Sequence, residues 1–140
     1  MHQFVVERAI AAPPEAVWRV LVDAHTLANG NFGILRLEGR IALGEKLRLW
    51  SAVAPKRAFP LTVTGFDPGR SMVWSGGMPF GLFTGTRSFA LTSEAAGTRF
   101  VMREVYTGPM TGLIWPSMPD LTPSFEQFAA ALADKAEQPA

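Results

Sequence analysis

The alternation of apolar and polar side chains changes period along the chain, and each change marks an element. Phe4, Val6 and Ile10 recur at every second position, which predicts a strand over residues 3–11 with one buried face. Arg8 falls in the same phase and is expected to point inward. Pro13 and Pro14 stop the strand, and Pro14 suits the first position of a helix, where a missing N–H costs nothing. Glu15 follows near the positive end of that helix. Val17, Trp18, Leu21 and Val22 form one apolar stripe, so residues 14–24 read as a short amphipathic helix. A second short helix or turn covers 25–29, ahead of the turn cluster Asn29-Gly30-Asn31.

The pattern then returns to strands, over 34–42, 46–53, 58–67, 70–76, 82–92 and 98–107, each closed by a short turn such as Asp67-Pro68-Gly69 or Glu94-Ala95-Ala96-Gly97. Short connections between consecutive strands favour an antiparallel meander. After Gly108-Pro109 three prolines, Pro116, Pro119 and Pro123, bend an apolar segment carrying Leu113, Ile114, Trp115 and Met118. Thr122 is expected to cap a last helix over 123–136, in which Phe125, Phe128, Ala129 and Leu132 repeat at helical spacing. The order predicts an α+β fold: a curved, seven-stranded antiparallel sheet around a long C-terminal helix, with two short helices after the first strand. One helix cannot cover seven strands, so the sheet must curl around it, and such a closure leaves room for an apolar cavity.

Composition narrows the function. The 140 residues fit one domain, 1–140, and a hydrophobic content of 48% gives it a core. Thirteen basic residues against twelve acidic leave a net charge of +1, without the basic face of a nucleic-acid binder. The absence of cysteine removes disulfides, a thiol nucleophile and cysteine-based zinc sites. His2 and His25 have no metal-ligand spacing with any carboxylate and are expected to be exposed and incidental, so neither a metal nor another cofactor is expected. No Gly-x-Ser-x-Gly elbow is present. The glycine-rich run Gly76–Gly81 joins two strands rather than a strand to a helix, which suits a hairpin or cavity rim better than a phosphate loop. No apolar stretch reaches the roughly 18 residues of a membrane span. Glu7 and Arg8 interrupt the only apolar start that could serve as a signal segment, so a cytoplasmic location is expected.

Several segments, in this order and spacing, resemble a known family. Ala11-Ala12-Pro13-Pro14-Glu15-Ala16-Val17-Trp18 is similar to the opening segment of the SRPBCC superfamily, which includes START-like lipid-transfer, birch-pollen-allergen-like and polyketide cyclase/dehydrase-like proteins. Met72-Val73-Trp74-Ser75-Gly76, Gly81 to Phe89 and Gly97-Thr98-Arg99-Phe100 continue the resemblance along the chain. Many members carry a tryptophan after the first helix, where this chain has Asn29-Gly30-Asn31. The resemblance implies a helix-grip fold, a cavity between sheet and long helix, and a hydrophobic small-molecule ligand; it does not imply one reaction.

Strand phase selects the residues expected at that cavity. If Ser93 pairs with Thr98, then Leu91 faces Phe100, Phe89 faces Met102 and Arg87 faces Glu104. Arg87 and Glu104 then share the apolar phase of Phe89, Met102 and Tyr106, and point inward as an ion pair. With Arg8 they would anchor the polar end of an apolar ligand; Glu104 is the candidate general acid or base if the protein is an enzyme. A slip of one residue would turn both outward and make them a solvated rim pair. Trp74 with Met72, and Trp115 with Met118, are expected as cavity walls, with Phe125 from the last helix.

Three functions remain open at this level. The first is a carrier or sensor of a small hydrophobic molecule. The second is a cyclase/dehydrase-like enzyme on a polyketide-like or aromatic substrate. The third is an interaction protein resembling the chaperone-activating branch of the superfamily. No nucleic-acid partner is expected, and the chain is expected to be a monomer or a homodimer in which Trp115 and the proline-bent segment could meet a second copy.

Overall fold

The computed structural model describes residues 2–138. Strand β1 (Gln3–Ile10) is followed by helices α1 (Pro14–Leu21) and α2 (Ala24–Asn29). Then come β2 (Ile34–Glu38), β3 (Lys46–Ser51), β4 (Ala54–Asp67), β5 (Ser71–Gly77), β6 (Thr84–Glu94) and β7 (Gly97–Thr107). A one-turn helix α3 (Thr111–Ile114) runs into a tighter turn at Trp115–Ser117, and α4 (Thr122–Ala136) closes the chain. The strands form one antiparallel sheet in the order β1-β7-β6-β5-β4-β3-β2. This is the expected helix-grip α+β fold: β2 to β7 are a meander, and β1 adds to its far edge.

The helices start and lie where their side chains dictate. Pro14 opens α1, which buries Val17 and Leu21 and sets Trp18 against Phe66 at 5.3 Å between ring centroids. Asp23 caps α2, its carboxylate accepting from the Thr26 N–H at 3.2 Å. In α4 the stripe Phe125, Phe128, Ala129 and Leu132 is buried as expected. The expected Thr122 cap is corrected: Thr122 is itself the first helical residue, and its N–H donates to Asp120 Oδ1 at 3.0 Å. A residue already in the helical turn cannot fold its own side chain back as a cap, so the preceding carboxylate supplies the acceptor.

Two features bend the sheet and leave it incompletely covered. The register slips between Val63 and Gly65 in β4 and between Trp50 and Ser51 in β3, and such bulges increase local twist and curvature. Helix α4 rests mainly on β1, while α2 rests on β2 at the opposite edge. Between those supports, among the described residues, no helix rests closely on β3, β4 or β5. Pairing of β4 with β5 also begins only at Thr62 with Ser75. The next step along the ladder meets Pro60, which has no N–H to donate, and the glycines Gly76 and Gly77. The β4–β5 ladder therefore ends here, although the Pro60 carbonyl still lies against Gly76.

Candidate ligand cavity

The space between the bent sheet and α4 is a cavity of about 800 Å³. Its floor is the concave face of β3 to β7, including Leu49, Leu61, Trp74 and Met102, and its roof is Ser124, Phe125 and Phe128 of α4 with Ile114, Met118 and Leu121 before it. Pro60, Gly76 and Gly77 line it where the β4–β5 ladder ends, and the exposed Val53, Arg57 and Met78 mark its mouth. The volume lies within the range of small-molecule sites, and the lining is mainly apolar with few polar groups.

Those polar groups converge on one carboxylate. The hairpin β6–β7 has the predicted register, with Leu91 opposite Phe100, Phe89 opposite Met102 and Arg87 opposite Glu104. Arg87 Nε donates to Glu104 Oε1 at 2.7 Å, and the Tyr106 hydroxyl donates to Glu104 Oε2. The Arg87 and Glu104 side chains keep only 21% and 17% of their surface, so the pair is neither a solvated rim contact nor a dry core one. The Phe125 ring covers one face of the guanidinium, with Cζ 4.8 Å from the ring centroid. Phe83 stacks on Tyr106 at 5.7 Å and 12°. Burial pushes the Tyr106 phenol well above its usual range, the negative charge of Glu104 pushes it further, and the hydroxyl stays protonated.

Two glycines face each other beside this cluster, Gly76 on β5 and Gly85 on β6. A Cβ on Gly85 would stand 3.3 Å from both Glu104 Oε2 and Tyr106 Cε1. At Gly76 the corresponding place is taken by the Pro60 carbonyl, 2.6 Å from where a Cβ would stand, and a Leu61 methyl at 2.7 Å, so both glycines allow close packing of their neighbours.

Of the residues singled out from the sequence, the structure brings Trp74, Arg87, Met102, Glu104, Tyr106, Met118 and Phe125 together on the cavity lining. Four others stand elsewhere. Met72 and Phe89 are fully buried one step deeper along the sheet, where Phe89 packs on Trp74 and Phe128. Trp115 turns away from the cavity, because the bend that carries Ile114 and Met118 inward sends its ring onto His2, Phe4 and Tyr106. It braces Tyr106 from the far side rather than forming a wall. Arg8 pairs with Phe100 but is exposed: β1 is an edge strand, and the long side chain carries its charge past the edge into water. His2, expected to be incidental, packs its ring 4.9 Å from Trp115, and its carbonyl accepts the Tyr106 N–H. His25 is exposed as expected.

Gly76, Gly77, Met78 and Pro79 line the cavity, as the rim reading of that run expected, whereas Phe32, Leu49, Phe59, Leu61 and Gly85 were not singled out as lining residues. The signal was present: Leu47 and Leu49 flank Arg48, Leu61 and Val63 flank Thr62, and Pro60 within a strand marks a break in its ladder. Trp74 Nε1 is buried with no hydrogen-bond partner. Among the described residues no group of three histidines or carboxylates could hold a metal ion, and no helix is long and apolar enough to cross a membrane.

Solved structures share this architecture. A protein from Mesorhizobium loti is 20% identical, with a TM-score of 0.74 over 96% of each chain. One from Thermus thermophilus is 23% identical, with a TM-score of 0.72 over 96% of this chain and 97% of that one. DynU16, from the dynemicin biosynthetic locus, is 19% identical with a TM-score of 0.69; the match takes 96% of this chain but 47% of DynU16. At these identities the likeness is one of fold. No curated protein matches the sequence. The family model described as polyketide cyclase / dehydrase and lipid transport matches residues 1–137, essentially the whole length, and the chain belongs to that family.

Proposed function

We propose that the protein binds a small hydrophobic molecule in the cavity between sheet and α4, as a carrier or sensor. The observation that carries this reading is the cavity itself: about 800 Å³ of mainly apolar lining, with exposed residues at its mouth and one polar cluster on its floor. A protein acting only through its surface would gain nothing from leaving such a volume unfilled, since unfilled core volume costs stability. Native mass spectrometry of freshly purified protein tests the reading. A bound small molecule released on unfolding supports it. An empty protein that also fails to take up any member of a panel of apolar aromatic and polyketide-like compounds refutes it.

A second reading is an enzyme of the cyclase/dehydrase type, supported by the family and by Glu104, Arg87 and Tyr106 standing in the cavity. Both Glu104 oxygens already accept from protein donors, which favours a fixed carboxylate over one poised to take a proton. Turnover of a bound compound that is lost in Glu104→Gln, with binding retained, would establish the enzymatic reading.

A further inference from the structure

Resting on the binding reading above, we infer that the occupant presents a neutral oxygen acceptor, such as a ketone or phenol oxygen, to Arg87, and that a carboxylate is disfavoured there. Donors, acceptors and charge around one carboxylate together set this preference.

Each Glu104 oxygen already accepts from a protein donor, one from Arg87 Nε and the other from Tyr106. A guanidinium has five N–H donors in a planar fork. Among the described residues Arg87 uses only Nε, and the two Nη groups donate to no protein atom. Phe125 covers one face of the plane, which leaves the Nη edge as the approach. Trp74, directly across the strand pair from Arg87, adds a buried indole N–H that also lacks a partner. The cluster therefore has N–H groups without partners, whereas each carboxylate oxygen already holds one donor, and the buried Trp74 N–H is costly to leave unmade. Gly85 lets the Glu104 carboxylate and the Tyr106 ring sit close to the β6 backbone, 3.3 Å from where a Cβ would stand.

Charge then decides what kind of acceptor fits. Arg87 and Glu104 neutralise each other, and the only other charged side chain on the lining is the exposed Arg57 at the mouth. A carboxylate ligand on the Nη edge would put a second anion on a guanidinium that already holds one, in a partly dewatered site. Like charges so placed oppose ionisation, and a charge moved out of water without its own counter-ion is penalised. A ketone or phenol oxygen meets the same N–H groups and brings no net charge.

Three probes of one shape separate these alternatives: acetylnaphthalene, naphthoate and ethylnaphthalene, titrated calorimetrically at neutral pH. Each is repeated with Arg57→Gln, so that the cation at the mouth cannot hold the carboxylate. The expected order in Arg57→Gln is acetylnaphthalene over naphthoate by at least about tenfold, roughly 1.4 kcal/mol, with ethylnaphthalene weaker than the ketone. Adding Glu104→Gln leaves Arg87 uncompensated and should reverse the order in favour of naphthoate. The double change Arg87→Gln with Glu104→Gln, which keeps the site neutral if the single variant folds poorly, should erase the advantage of ketone over hydrocarbon. Equal or tighter binding of naphthoate in Arg57→Gln, or a preference unmoved by Glu104→Gln, overturns the inference. If ethylnaphthalene matches the ketone, the cavity binds ligand but the polar inference fails. If none of the three binds, the binding reading fails with it.

Discussion

Removing one oxygen atom tests the cluster at the cavity floor. Tyr106→Phe keeps the ring, with its stacking on Phe83 and its contacts to Phe4 and Trp115, and deletes only the donor to Glu104 Oε2. A hydrogen bond to a charged group contributes about 1.5–3 kcal/mol. The Glu104 side chain keeps 17% of its surface, so water entering the cavity can partly replace the lost donor, and the low end of that range, about 1.5 kcal/mol, is expected. For a chain of this length that is a fall in Tm of roughly 5 °C, with the denaturant midpoint lowered and its slope unchanged. The same residue offers a second readout, because Tyr106 is the only tyrosine in the sequence. Its folded pKa lies above the usual value of 10, by burial first and by the charge of Glu104 second. The stabilisation is therefore complete below the unfolded pKa and is lost as pH rises through the folded one. In an alkaline titration the tyrosinate absorbance should stay flat past pH 10 and appear together with unfolding. A Tm unchanged within about 1 °C, or a phenol that titrates near 10 with the fold intact, would falsify this account of the cluster.

Other substitutions probe other parts of the structure. Phe128→Ala removes the α4 ring that packs against Phe32, Phe89 and Phe100, and should cost about 3–5 kcal/mol, enough to lower the calorimetric Tm sharply; a loss under about 1 kcal/mol would mean the core under α4 is loosely packed. Phe80 is 99% exposed and holds φ at 60°, a conformation that disfavours side chains, so Phe80→Gly should leave stability unchanged or raise it by about 0.5 kcal/mol; a clear loss in urea unfolding would show that the ring has a partner. Asp23→Ala removes the α2 cap and should cost about 1 kcal/mol at neutral pH. Hydrogen bonds from Thr26 hold the Asp23 carboxyl below its usual pKa, so the cap contributes above the ordinary carboxylate range and fades as pH falls through the lowered value. The wild-type and Asp23→Ala stability curves should therefore converge in acid, and parallel curves would count against the cap.

The parts of the fold governed by short-range periodicity were legible in the sequence. The two-residue rhythm located all seven strands, and the turn at Glu94–Gly97 was short enough to fix the β6–β7 register and with it the Arg87–Glu104 pair. What could not be read was how far each strand end extends over the helix. Met72 and Phe89 share a phase with Trp74 and Arg87, yet lie one step deeper, and phase alone carries no depth. Trp115 sits in a proline-bent segment with neither helical nor strand period, so nothing local fixed its direction. Arg8 shows the limit at an edge strand, where an inward phase does not enclose a long charged side chain. Gly85 was missed for a related reason: a glycine in a strand pattern reads as an interruption, and its place beside Glu104 and Tyr106 follows only from the register of β6 with β7.

Pro60 has a consequence beyond ending a ladder. Before Thr62, β4 runs past the end of its pairing with β5, and a strand side with free backbone donors invites a strand from another molecule to pair there. Pro60 offers an incoming strand no N–H, and Gly76 and Gly77, on β5, are among the residues least inclined to stay extended. The residue that lines the cavity where the ladder ends thus also guards that strand side against intermolecular pairing. Replacing it to narrow the mouth would restore a backbone donor to an exposed edge, trading a tighter entrance for a greater tendency to aggregate.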